Sequence, residues 1–106
     1  MSTVRSMNDF HKRMEEAENK IVLLDFYATW CGPCADMDKT VKSLARKYAG
    51  KVVVLKINVD KFEDLVDKYK VRCMPTFVFL KGNRRISSVT GADDEKLTHM
   101  MAKVVK

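Results

Sequence analysis

Long apolar runs are missing from this sequence: none approaches the roughly twenty consecutive residues that a membrane-spanning helix needs. The amino terminus also lacks the basic-then-apolar layout of a secretory signal, so a soluble intracellular protein with no membrane partner is the expectation. Cysteine is scarce. The three present, at positions 31, 34 and 73, are an odd number with two close neighbours, which fits a reducing compartment better than the disulfide framework of a secreted domain. Low-complexity stretches, internal repeats and linkers are absent as well, so one domain over residues 1–106 is expected.

What is present suffices for a core. Apolar residues make up 46% of the chain and are spread along it, enough to fold without disulfide staples. The formal net charge is +6, and residues 51–106 carry 12 Lys+Arg against 7 Asp+Glu. The carboxy-terminal half therefore holds most of the excess. Long-range attraction to polyanions and acidic partners follows from it, whereas the fold does not.

Strands and helices alternate, the pattern of an α/β domain. Ser6 or Asn8 caps a first helix with Phe10, Met14 and Ala17 on one face, ended by Asn19 and Lys20. Residues Ile21 to Ala28 are almost continuously apolar, as a central strand covered on both faces reads. Met37, Val41, Leu44, Ala45 and Tyr48 form the buried stripe of a long helix stopped by Gly50. Val52 to Ile57 is a second buried strand, and Phe62, Leu65, Val66 and Tyr69 mark a short helix. Thr76 to Leu80, a turn over Lys81–Arg84 and Ile86 to Val89 read as a hairpin. Gly91 ends it, and Asp93, Asp94 and Glu95 open a last helix with Leu97, Met100, Met101 and Val104 inward. With an edge strand over Thr3–Met7, the order is βαβαβαββα.

The chemistry sits in Trp30-Cys31-Gly32-Pro33-Cys34, at a junction of strand and helix. Free backbone N–H groups and the positive end of the helix dipole face Cys31 there, and they stabilise a thiolate. Pro33 loses no hydrogen bond in a first helical turn, and Gly32 permits close approach by another chain. Two intervening residues bring both sulfurs within bonding reach. Zinc is the competing use of this spacing. Its other ligands would have to come from Cys73, His11 and His99, none of which forms a second close pair, and Gly-Pro between the cysteines favours a helix start over a metal knuckle.

That pentapeptide, with Asp25 in the strand before it and Met74-Pro75-Thr76 after it, resembles the thioredoxin family over essentially the whole chain. The resemblance implies a central mixed five-stranded sheet flanked by four helices. It implies that Cys31, exposed, attacks a target disulfide and that Cys34, shielded, resolves the mixed disulfide. Asp25 would exchange a proton with Cys34 through water, and Lys56 would lie near Asp25 and modulate it; a plain buried ion pair is the alternative for both. Pro75 would be cis, with Met74 offering backbone groups to a substrate strand beside Thr76, and Trp30 would form part of the docking surface. No bound cofactor is implied; electrons would come from NADPH through a thioredoxin reductase to disulfide-bearing proteins. Cys73, beside the docking loop, is either an inert small residue or the link of an intermolecular disulfide between otherwise monomeric chains.

Two positions depart from the family pattern. Ala35 replaces the lysine that normally follows the second cysteine, and Lys39 stands where most members have a helix-kinking proline, so the helix is expected to run straighter and partner preference or redox poise to differ. Lys68, Lys70 and Arg72 precede the proline loop, and Lys81, Arg84 and Arg85 cluster at the hairpin turn, expected at opposite ends of the strand between them. This charge points to acidic targets or to disulfide-bearing proteins held on nucleic acid, such as chromatin components, with cytoplasmic and nuclear locations. Competing readings are a basic adaptor that uses the fold without turnover and an oxidase or isomerase of the same fold.

Overall fold

A serine hydroxyl decides where the first helix starts. Ser6 Oγ accepts the Asp9 N–H at 3.0 Å, a donor that the first turn leaves free, and Asp9 Oδ2 accepts the N–H of Arg5, just before the cap, at 2.9 Å. In the computed structural model, which describes residues 1–106, helix α1 therefore spans Met7–Ala17, and the edge strand β1 is only Ser2–Thr3. The strand expected over Thr3–Met7 is thus displaced and shortened: its last ladder bond is Val4 N–H to Lys56 O at 2.9 Å, after which the cap takes the chain. Ser6→Ala should lower stability by about 1 kcal/mol, read as a lower urea midpoint at unchanged slope.

After α1 come β2 (Ile21–Tyr27), α2 (Gly32–Lys47), β3 (Val52–Asn58), α3 (Glu63–Lys68), β4 (Thr76–Lys81), β5 (Arg84–Thr90) and α4 (Asp94–Val105). Two helices stop earlier than expected. Glu18, at φ 51°, ends α1 before Asn19, and the Tyr48 N–H bonded to Leu44 O ends α2 before Gly50. Gly50 serves instead at φ +89° in the turn that leads into β3.

The sheet order is β1-β3-β2-β4-β5, with β2 central, parallel to β3 and antiparallel to β4. Alternation along β2 feeds two cores. Val22, Leu24 and Phe26 pack with Phe10 of α1 and Leu65 of α3, whereas Ile21 and Leu23 pack with Met37, Val41 and Leu44 of α2 and with Leu97 and Met101 of α4. The chain thus has the α/β architecture of five strands and four helices. Gly82 and Asn83, both at positive φ, close the β4–β5 hairpin as a two-residue turn. A register shift sets Phe79 opposite Ser87 and Leu80 opposite Arg85; the extra residue, Ile86, bulges outward and stays exposed.

Candidate active site

Strand β2 delivers the chain to the site, and a sulfur caps the helix that leaves it. Cys31 N–H donates to Ala28 O at 3.1 Å, which turns the backbone at the end of the strand. Cys31 then occupies the cap position of α2, and its Sγ accepts the Cys34 N–H at 3.1 Å. Pro33 lies in the first turn, where it has no bond to lose. Cys31 and Cys34 are joined as a disulfide, with Cα atoms 5.3 Å apart.

Cys31 was expected to be open and Cys34 shielded. In this oxidised state they differ little, at 8% and 5% exposure. Ala28, Tyr27, Val59 and Met74 pack around the joined pair and cover both sulfurs. Gly32 and Pro33 are exposed beside it. A Cβ built on Gly32 meets nothing within 4 Å, so nothing inside the chain requires a glycine there.

The second loop comes from the chain before β4. The Met74–Pro75 bond is cis, Pro75 O accepts the Gly91 N–H at 2.8 Å, and Met74 lies against the disulfide. Thr76, named above beside the substrate strand, is buried, with its hydroxyl donating to Cys73 O. Its side chain shapes the loop and does not project from it. Cys73 is free and exposed next to Met74.

Trp30 is 67% exposed, yet it is held: its Nε1–H donates to Asp60 Oδ2 at 2.9 Å, and Asn58 Oδ1 accepts the Asp60 N–H at 2.9 Å. Sequence reasoning missed Asn58 and Asp60. The signal was their place at the carboxyl end of β3, which as a parallel neighbour of β2 ends at the same edge of the sheet.

Asp25 and Lys56 are partners in register across β2 and β3, so the lysine does stem beside the aspartate. Its charge goes elsewhere. Lys56 Nζ lies 3.0 Å from Asp38 Oδ1 on α2 and 4.6 Å from the centre of the Tyr27 ring. Asp38 is a third residue the sequence reading passed over; its spacing of four from Cys34 places it one helical turn along the same face. Asp25 is 3% exposed, and burial pushes its pKa up to about 7, against the pull of Lys56 and with some help from Asp38. A cleft of about 230 Å³ is lined by Cys31, Cys34, Ala35, Asp38, Lys56 and Tyr27 among others, room enough for water between the sulfurs and the ion pair.

Other grooves are larger. One of about 370 Å³ is bordered by Lys20, Lys51, Lys81 and Lys106 at the far ends of the strands, and one of about 870 Å³ lies between α2 and α4. Neither contains a cysteine, so chemistry and not size picks out the site. His11 on α1 and His99 on α4 are exposed, and no three His, Cys, Asp or Glu side chains gather as metal ligands. Ala35 and Lys39 are exposed on α2, which runs unbroken through both.

Lys68, Lys70, Arg72, Lys81, Arg84 and Arg85 are all exposed. One contact qualifies their expected division into two separated groups: Arg85 Nη1–H donates to Tyr69 O at 2.7 Å. Arg85 lies opposite Leu80, which packs in the same core as Tyr69, so the hairpin arginine reaches the backbone carbonyl that ends α3, between Lys68 and Lys70 in the chain. Burial pushes the Tyr69 hydroxyl up, with Arg85 opposing. Lys81 stays apart at the distal groove.

The thioredoxin family model matches residues 2–103. Thioredoxin-1 of Drosophila melanogaster is 68% identical over 106 residues, covering 100% of this chain and 99% of that protein. Human thioredoxin is 36% identical and covers 96% of each chain. The crystal structure of the germline-specific Drosophila melanogaster thioredoxin Deadhead (Thioredoxin-1) superposes with a TM-score of 0.96 at 67% identity, over 98% of this chain and 99% of that one. Matched over nearly its whole length, and with its two neighbouring sulfurs already joined, the chain belongs to the thioredoxin family and is a protein-disulfide reductase.

Proposed function

We propose that the protein passes two electrons from the Cys31/Cys34 dithiol to protein disulfides, and that its basic surface directs it to targets held on nucleic acid, in the nucleus as well as the cytoplasm. The Cys31 thiolate attacks one target sulfur, the target S–S bond breaks, and the departing thiolate takes a proton from solvent. Cys34 then yields its proton toward Asp25 through water and attacks Cys31 Sγ. That step frees the second target thiol and leaves the Cys31–Cys34 bond seen here. A thioredoxin reductase, drawing on NADPH, restores the dithiol.

The observation that carries this reading is the N–H of Cys34 aimed at Cys31 Sγ. The same donor and the helix terminus meet a thiolate once the bond opens. Docking follows from the surroundings: the exposed Trp30 face, the open side of Gly32 and Pro33, and the backbone at Met74 offer a site for an extended target segment. Exposed Cys73 lies at the rim of that site.

Insulin reduction with reductase and NADPH tests the activity: sustained turnover is expected, and none would favour the adaptor. Retention on a DNA column at low salt, lost on raising the salt, is expected if the basic surface contacts nucleic acid. Flow-through at low salt together with salt-insensitive activity on DNA-bound targets removes that part of the reading.

A further inference from the structure

Lys56 has two carboxylates to choose from, and the structure shows which one it takes. Its register partner is Asp25, one strand spacing away on the same face of the sheet. The ammonium nevertheless lies on Asp38, at 3.0 Å, with the Tyr27 ring 4.6 Å to the side. Asp38 is 38% exposed and the Lys56 side chain 14%. An ion pair there keeps part of its hydration, whereas one on Asp25 would strip both partners.

We propose that Asp38 is a positioning residue: by anchoring the Lys56 ammonium on the outer side of the cleft, it withholds that cation from Asp25 and so sets the pH range in which Asp25 takes the Cys34 proton. The proposal rests on the role given to Asp25 above. Asp38 acts twice in the same direction, because it draws the Lys56 charge away from Asp25, which still feels it, and adds an anion near it. Both make the buried carboxyl harder to ionise.

The neighbours of Asp25 leave few competitors. Strand β3 brings Lys56, strand β4 sets Phe77 opposite, and α4 packs Leu97 and Met101 on this face. Helix α2 brings Asp38 and Cys34 to the cleft they share with Lys56, and the strand's own contribution there is Tyr27. Lys56 and Asp38 are the charges that reach Asp25. With Lys56 tied down, Asp25 titrates at about 7, where a shared proton is movable in either direction at neutral pH.

Asp38→Asn should release the lysine toward Asp25. Followed by the Asp25 carboxyl carbon resonance in the oxidised protein, the titration midpoint is expected to fall by about one to three pH units. Asp38→Glu should restore it. In a Lys56→Gln background, Asp38→Asn should move the midpoint by clearly less, since only the direct charge is then lost. Resolution of a preformed mixed disulfide should follow, running about fivefold faster at pH 6 if the midpoint drops by one unit. An Asp25 midpoint unmoved by Asp38→Asn, or a shift just as large without Lys56, overturns the proposal. A moved Asp25 midpoint with an unmoved resolution profile upholds the positioning and counts instead against Asp25 as acceptor of the Cys34 proton.

Discussion

Cys34→Ser should stop the reaction halfway. The Cys31 sulfur remains at the start of α2, so it still attacks a target disulfide. A serine hydroxyl at position 34 is protonated at neutral pH and a poor nucleophile toward sulfur, so the mixed disulfide is not resolved. Insulin turnover should fall to background while a one-to-one covalent complex accumulates, visible on a non-reducing gel and dissolved by dithiothreitol. Cys31→Ser should lose both turnover and complex. Because Cys73 is free and exposed, the trap belongs in a Cys73→Ser background, where any complex must pass through Cys31. Turnover by Cys34→Ser at the parent rate would remove the resolving role, and complexes trapped in lysate would show whether the targets are general or nuclear.

Asp25→Asn should make the protein more stable in mild alkali and leave it nearly unchanged in acid. The carboxyl has an ordinary value of 3.8 and sits at about 7 in the fold. A raised value means that the folded state holds the proton more tightly, so this contribution to stability is present below 3.8, declines as pH rises and is gone above about 7. The full difference corresponds to about 4 kcal/mol. The asparagine variant carries no such penalty, so its advantage over the parent should grow from pH 4 to pH 8 toward that figure. Urea unfolding of the oxidised proteins at pH 4, 6 and 8 measures it, and equal midpoints at pH 8 would show that burial does not raise the carboxyl. With Asp25 as the proposed acceptor of the Cys34 proton, slower resolution at neutral pH is expected alongside the gain in stability. On the proposed role of Asp25, burial of this group is a cost to the fold carried for the sake of the reaction.

Much of this was legible in the order of residues. The unbroken apolar run before Trp30 placed β2 at the centre of the sheet, where it lies, because only a strand covered on both faces needs apolar side chains at every position. Cys-Gly-Pro-Cys at a helix start gave both the cap and the chemistry, since the free N–H groups of a first turn are a local property. Less legible were the ends of elements. Glu18 and Tyr48 ended helices that Asn19 and Gly50 were expected to end, because backbone bonds formed by the next turn outweigh the preference of one residue.

The sequence by itself determined which two sulfurs can pair, which helix they open and that positive charge is in excess, for these depend on composition and on neighbours three or four residues apart. Only the tertiary structure decided that Lys56 turns to Asp38 and not to Asp25, that Asp60 holds Trp30, and that Arg85 draws the hairpin charge onto the end of α3. Each of those choices is made between groups on different elements of the fold, where strand register and helix placement set the distances over which charges and hydrogen bonds compete.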